Sequence, residues 1–196
     1  GWAASGGAGV VDGQGVLNEE GALAARLRQV VTVPTGAKTL SFVIVDADLL
    51  FSGSGPQDAF ELALLDPTTM LSRAGSPGLA GTDAALNVQA DGSVHAAAGV
   101  RLFGADGRPV TTVGSDPLRV TIDLSQLTGA TEGQEIAVYF DLLGFGARNS
   151  RIVIDDVRFS LTPDNAAPLA GDDTIATSED SAVTFDVLAN DSDPDG

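Results

Sequence analysis

The chain reads as all-β, an antiparallel β-sandwich of jelly-roll-like type over residues 1–162. Three observations predict it. Apolar and polar residues alternate over short segments, the period of a strand with one buried face. Twenty-four glycines and nine prolines break those segments at turn-like intervals. No stretch carries a convincing helical period, and about nine or ten strands can be counted, the pattern of a sandwich.

The elements follow in order. Residues 1–21 are small and Gly-rich, and enter as a loop with short strands near Val10–Val11 and Val16–Leu17. In Arg26–Val33, Leu27, Val31 and Val33 share one parity. A helix over 19–31 is the rival, since Ala and Leu are good helix formers, but the β-branched finish favours a strand. Pro34-Thr35-Gly36 ends either one. Leu40–Val45 is a solidly apolar strand bounded by Asp46-Ala47-Asp48, and the polar loop after it leads to Ala59–Leu65, where Phe60, Leu62 and Leu64 share a face. Residues 66–93 form a long connection with a short strand near Ala85–Val88, followed by short strands at Val94–Ala98 and Val110–Val113. Leu118, Val120, Ile122 and Leu124 face in, with Arg119, Thr121 and Asp123 out. Ile136, Val138, Phe140 and Leu142 repeat the pattern, which leaves Tyr139 and Asp141 outside.

The closing strand changes parity. Ile152 and Ile154 are inward on even numbers, whereas Val157, Phe159 and Leu161 continue on odd ones. One extra residue at Asp155-Asp156 makes a β-bulge, and a bulge re-aims side chains. Two acids beside the core are costly unless paired, and a structural cation would offset both costs.

Charge is unevenly spread. Residues 164–196 hold nine of the 27 acids and none of the ten Lys and Arg residues, a net of 0 − 9 = −9. Residues 1–163 hold the other 18 acids and all ten basic residues, 10 − 18 = −8. A net −17 argues against nucleic acid and against anionic membrane surfaces as partners. No apolar run approaches the ~20 residues that span a bilayer, so membrane insertion is not expected. Gly1-Trp2-Ala3 is followed by Ser and Gly with no basic region, so no signal peptide is read there. Without cysteine, an extracellular chain needs another staple, and bound cations are the obvious one, although a cytosolic chain would lack cysteine equally well.

An acidic run either stays solvated or folds around cations. Here Asp191-Ser192-Asp193-Pro194-Asp195-Gly196 places acids at alternate positions before a glycine, the opening of a calcium loop. Oxygen-only donors select calcium over transition metals. Gly171-Asp172-Asp173, Ser178-Glu179-Asp180 and Val187–Gly196 together resemble the start of a bacterial cadherin-like, Ig-like repeat of large secreted adhesins. The resemblance implies a β-sandwich module begun but not completed here, calcium at its ends, an extracellular or cell-surface setting, and an adhesive or spacer role. It puts Asp172, Asp173, Glu179, Asp180, Asp191, Asp193 and Asp195 among the calcium ligands. Residues 163–169 then form an acidic linker and 170–196 the first part of the repeat.

Residues 26–162 also resemble the carbohydrate-binding-module type of jelly roll, through Leu27–Val33 with its Pro-Thr-Gly turn, Leu40-Ser41-Phe42 and the closing Ile154-Asp155-Asp156-Val157. That resemblance implies a structural calcium held by Asp155 or Asp156, with Asp12 and Glu19 or Glu20 as partners. Asp46, Asp48 and Asp58 bracket one loop and are further candidate metal ligands, with solvated loop acids as the plain alternative. Tyr139 and Trp2 are the aromatic candidates for a sugar platform.

Catalysis finds little support. His95 is the single histidine, no G-x-S-x-G occurs, and zinc is disfavoured by zero Cys and one His. The expectation is therefore a non-enzymatic, calcium-stabilised structural or adhesive module of a large secreted bacterial protein or fibre. Its expected partners are neighbouring modules, identical subunits or surface glycans. A carbohydrate-binding module is the alternative. A third possibility is a subunit that donates Thr174–Thr177 and Ser181–Leu188 to a neighbour's sheet, since a pair of strands does not stand alone.

Overall fold

The computed structural model describes residues 1–20, 23–50, 56–113, 117–145, 149–163, 165 and 167–193. Among these residues, twelve strands form two six-stranded antiparallel sheets. In chain order they are β1 (Ala3–Ser5), β2 (Gly7–Val11), β3 (Gln14–Asn18), β4 (Ala24–Thr32), β5 (Thr39–Asp48) and β6 (Ala59–Leu65). There follow β7 (Ala84–Gln89), β8 (Val94–Ala96), β9 (Val100–Phe103), β10 (Leu118–Asp123), β11 (Glu135–Leu143) and β12 (Arg151–Ser160). The first sheet runs β1-β4-β11-β6-β7-β8, and the second β2-β3-β12-β5-β10-β9. The chain alternates between sheets from β3 to β6 and again from β10 to β12, so the inner four strands of each sheet have jelly-roll order. The expected sandwich is the observed one.

The inward faces meet in one core. Phe42 of the second sheet stands edge-on to Phe140 of the first, ring centroids 4.9 Å apart, and Phe60 stacks on Phe140 at 6.2 Å. Leu27, Leu62, Leu86, Val120, Ile122, Ile136 and Ile152 fill the space around them. The strand reading of 24–32 prevails over the helical one because both neighbours supply ladders: β4 pairs with β1 and with nine consecutive residues of β11. Burial of alternate side chains against Phe140 then outweighs the helix propensity of Ala and Leu.

Several expectations need correcting. Val110–Val113 is not a strand: Thr112 makes one isolated bridge, to Ser93, while the ladder partner of β10 is Val100–Phe103, which the alternation does not mark. β1 was also missed, its three small residues giving no apolar signal. Leu161 lies beyond β12 and is 66% exposed, although Val157 and Phe159 pack on the core as their parity requires. Tyr139 and Asp141 do point away from the core, but both are buried. The connection after β6 covers this part of the outer face: Met70 meets the Tyr139 hydroxyl, and Ala63, Leu65 and Ala137 pack beside the ring. Thr174–Thr177 and Ser181–Leu188 form no strand; among the described residues after Ser160 the only ladder contact is the bridge Leu169–Ser192.

Candidate functional site

Three groups of sequence-predicted residues can be located. The first is the bulge. β12 changes register against β5 between Val153 and Ile154 and again between Asp155 and Arg158, and Asp156 has φ +55°. The parity flip in the sequence is therefore a real bulge. Asp155 accepts a hydrogen bond from Gln14 Nε2 at 3.1 Å and from the Asp156 N–H at 2.7 Å. The Gln14 bond first, and then the backbone donor, hold the Asp155 carboxyl below the usual carboxylate range. Asp156 pairs with Arg158. Both acids line a cavity of about 250 Å³ floored by Leu27, Ile154 and Val157 and walled by Trp2. The Asp12-Gly13 turn closes that end, both residues at positive φ, as a two-residue hairpin with right-handed twist requires.

Trp2 packs against Phe140 at 5.4 Å between centroids, so its ring helps cap the core. Glu19, expected beside Asp155, is not there. Gly15 is opposite Ile154 and Asn18 is opposite Arg151, which separates Glu19 from the bulge by roughly 13 Å along the strand.

Glu19 belongs instead to the second group, at the opposite end of β3. Ser150 is fully buried and joins four chain segments there. Its Oγ accepts the Leu50 N–H at 2.9 Å and donates to Asp58 Oδ2 at 2.6 Å, while its own N–H reaches Glu19 Oε2 at 3.4 Å. Asp58, 0% exposed, takes a second hydrogen bond from the Phe145 N–H at 3.0 Å. Gly144 leaves room for Glu19: a Cβ there would stand 2.5 Å from the Glu19 side chain. Asp46 and Asp48 end β5 on its exposed side, and Asp46 pairs with Arg151. The loop reading that joined Asp46, Asp48 and Asp58 therefore fails on facing, because two are exposed and the third is buried.

The third group is the acidic segment. The Leu169–Ser192 bridge and the Gly171 N–H to Asp191 Oδ1 bond, 2.8 Å, bring the 169–173 stretch against 190–193. Asn190 Nδ2 donates to the Asp172 carbonyl at 3.1 Å. Asp172, Asp173, Asp191 and Asp193 thus lie on chain stretches that run together, whereas Glu179 and Asp180 sit on a separate turn closed by Ser181 N–H to Ser178 O. Asp195, like Asp164 and Gly196, lies outside the described residues. Among the described residues no three acidic or histidine side chains converge as a metal-binding group. The donor set of the segment is nevertheless oxygen throughout and includes no basic residue, the chemistry a hard cation requires.

The register of the first sheet assembles a fourth group that single-strand reading missed. Ser5, Arg26, Asp141, Glu61, Asn87 and His95 are direct cross-strand neighbours from β1 through β8. They form one polar row on the outer face, about 24 Å long at the usual strand spacing. Arg26 binds Asp141 in a two-bond fork, Nη2 to Oδ2 at 2.9 Å, and that bond raises the Arg26 pKa. Glu61 Oε1 accepts from Asn87 Nδ2 at 2.8 Å and from Thr82 Oγ1 at 3.3 Å. Burial nevertheless pushes the Glu61 carboxyl above its ordinary value, with the Asp141 charge adding to it. Asn87 Oδ1 is buried with no partner. Arg26, half-buried on β4, gives no signal alone; only pairing across 115 residues reveals its role.

A family model described as Bacterial Ig domain matches residues 165–196. The acidic segment is therefore similar, at that coarse level, to a bacterial Ig-like repeat. No curated protein and no solved structure matches the chain.

Proposed function

We propose that this chain supplies a calcium-stiffened structural or adhesive module to a large extracellular bacterial protein, without catalytic activity. One observation carries the reading: the stretch similar to a Bacterial Ig domain is also the stretch whose exposed acids, folded back by the Leu169–Ser192 bridge, have no basic residue among them. Calcium at Asp172, Asp173, Asp191 and Asp193 would cancel their repulsion and stiffen the joint between the sandwich and the Ig-like segment. Extracellular modules hold calcium at about 10⁻⁴–10⁻³ M, which suits external concentrations.

The acids of the sandwich support the reading less. Asp46, Asp58, Asp155 and Asp156 each have a protein partner. The glycan alternative draws no support from Tyr139, which is 6% exposed, or from Trp2, which packs on Phe140. The test is calorimetric titration of calcium into the EDTA-stripped full chain, together with its thermal melt. Saturable heat and a melt raised by calcium are expected, since a ligand at 10–100 times its Kd stabilises the native state by about 1.4–2.7 kcal/mol. Absence of both heat and shift at 10 mM calcium refutes it.

A further inference from the structure

We infer that the β1–β4–β11 corner of the first sheet is a pocket for a single carboxylate group. The polar row is covered in its middle, where Thr82 reaches Glu61, but it opens at the β1 end. There a cavity of about 280 Å³ is lined by Ala3, Ala4, Ser5, Arg26, Arg28 and Tyr139. The three β1 residues are small and leave the space; the other three define its chemistry.

Donors exceed acceptors at this corner. Arg26 spends Nε and Nη2 on Asp141, and its guanidinium lies 5.4 Å from the Tyr139 ring centre. Arg28, one pleat further along β4, donates Nη1 to the Tyr139 hydroxyl at 3.1 Å and lies 5.9 Å from the same ring. Tyr139 in turn directs its hydroxyl proton towards Met70 Sδ at 3.9 Å, so its oxygen is free to accept from Arg28. Arg28 has no carboxylate partner among the described residues, and neither does the Ser5 hydroxyl have a hydrogen-bond partner there. Both guanidiniums are therefore oriented before any ligand arrives: Arg26 by Asp141, Arg28 by a buried tyrosine. Asp141 and, at longer range, Asp83 offset the Arg26 charge, which leaves Arg28 as the guanidinium of the corner with no carboxylate bound to it among the described residues, in a chain of net −17.

A planar carboxylate suits what is left. Arg28 offers its remaining N–H groups as a fork, the geometry that pairs two parallel bonds with two oxygens, and Ser5 can add a third donor. An ammonium would be repelled by the two guanidiniums that line the cavity. A neutral hydroxyl would leave the Arg28 charge uncompensated. The cavity has room for one sugar ring or one acidic side chain. This pocket is separate from the acidic segment and does not depend on calcium.

The experiment uses the full chain, labelled for NMR, titrated with glucuronate, N-acetyl-aspartate amide and glucose. The carboxylates should shift the Arg28 Nε–H and the Ala4 and Ser5 amides saturably at one site, and glucose should not. Stronger binding of glucuronate identifies a sugar acid as the ligand source; stronger binding of the aspartate derivative identifies an acidic peptide. Arg28→Ala should weaken binding at least tenfold and Arg28→Lys should retain part of it, while Lys38→Ala leaves it unchanged. A thermal melt of Arg28→Ala confirms the fold, and Arg28→Lys keeps the test open if alanine unfolds the chain. Equal shifts with glucose overturn the inference. So does unchanged affinity in Arg28→Ala, or lack of saturation up to about 50 mM, beyond the millimolar range a weak charged contact reaches.

Discussion

Replacing Ser150 by alanine tests the polar centre that ties one end of the sandwich together. The hydroxyl accepts the Leu50 N–H at 2.9 Å and donates to Asp58 Oδ2 at 2.6 Å. Alanine strips both bonds, leaving Leu50 N–H without its acceptor and a fully buried carboxylate with one donor fewer. A neutral hydrogen bond contributes about 1 kcal/mol and one to a charged group about 1.5–3, while a buried orphan adds about 1–3. These contributions overlap, so a loss of about 3–5 kcal/mol is expected. For a chain of this size each kcal/mol moves Tm by about 2–4 °C, which gives a drop of roughly 6–20 °C. Urea denaturation followed through Trp2, which packs on Phe140 in the core, measures the loss directly, and an unchanged slope against urea shows that the native state is still compact. The companion variant Asp58→Asn removes the charge but keeps an oxygen for the Ser150 proton. Combined in a double-mutant cycle, the two substitutions should show strong coupling. A loss under about 1 kcal/mol with no coupling would mean that water replaces the hydroxyl freely and that the centre is not dry.

Other outcomes follow from the same physics. Because burial raises the folded pKa of Glu61, stability should fall as pH rises from the ordinary glutamate range through that raised value; Glu61→Gln should flatten the fall, as read from urea midpoints across pH. Asp155 has the opposite sign: its carboxyl is held low by Gln14, so its contribution is present at neutral pH and lost as pH drops through the lowered value. Gln14→Ala should weaken that acid-side loss, measured by the same midpoints, and an unchanged acid limb would count against the bond. Gly144→Ala should destabilise by about 1–3 kcal/mol, because the new Cβ meets the buried Glu19 side chain at 2.5 Å and pushes it off the Ser150 N–H. A neutral result in thermal melting would mean that Glu19 can swing away.

Some of this protein was already decided in the one-dimensional pattern. Alternation in Leu118–Leu124 and Ile136–Leu142 set which side chains enter the core, since a strand has a period of two and a single buried face. The parity flip at Asp155-Asp156 disclosed the bulge for the same reason. The match of residues 165–196 to a Bacterial Ig domain agrees, at the coarse level of a bacterial Ig-like repeat, with the resemblance carried by the motifs of that segment. Parity, however, says which face a residue takes and not what lies over that face. Tyr139 and Asp141 were assigned to the outside correctly, yet the connection carrying Met70 buries the tyrosine. Register decided the rest. Arg26, Asp141, Glu61 and Asn87 become neighbours only when four strands align, and Glu19 joins Asp58 rather than Asp155 because β3 runs antiparallel to β12. Partners more than a hundred residues apart are chosen by which ladders bury the most apolar surface together, a property of the whole core that no local window contains.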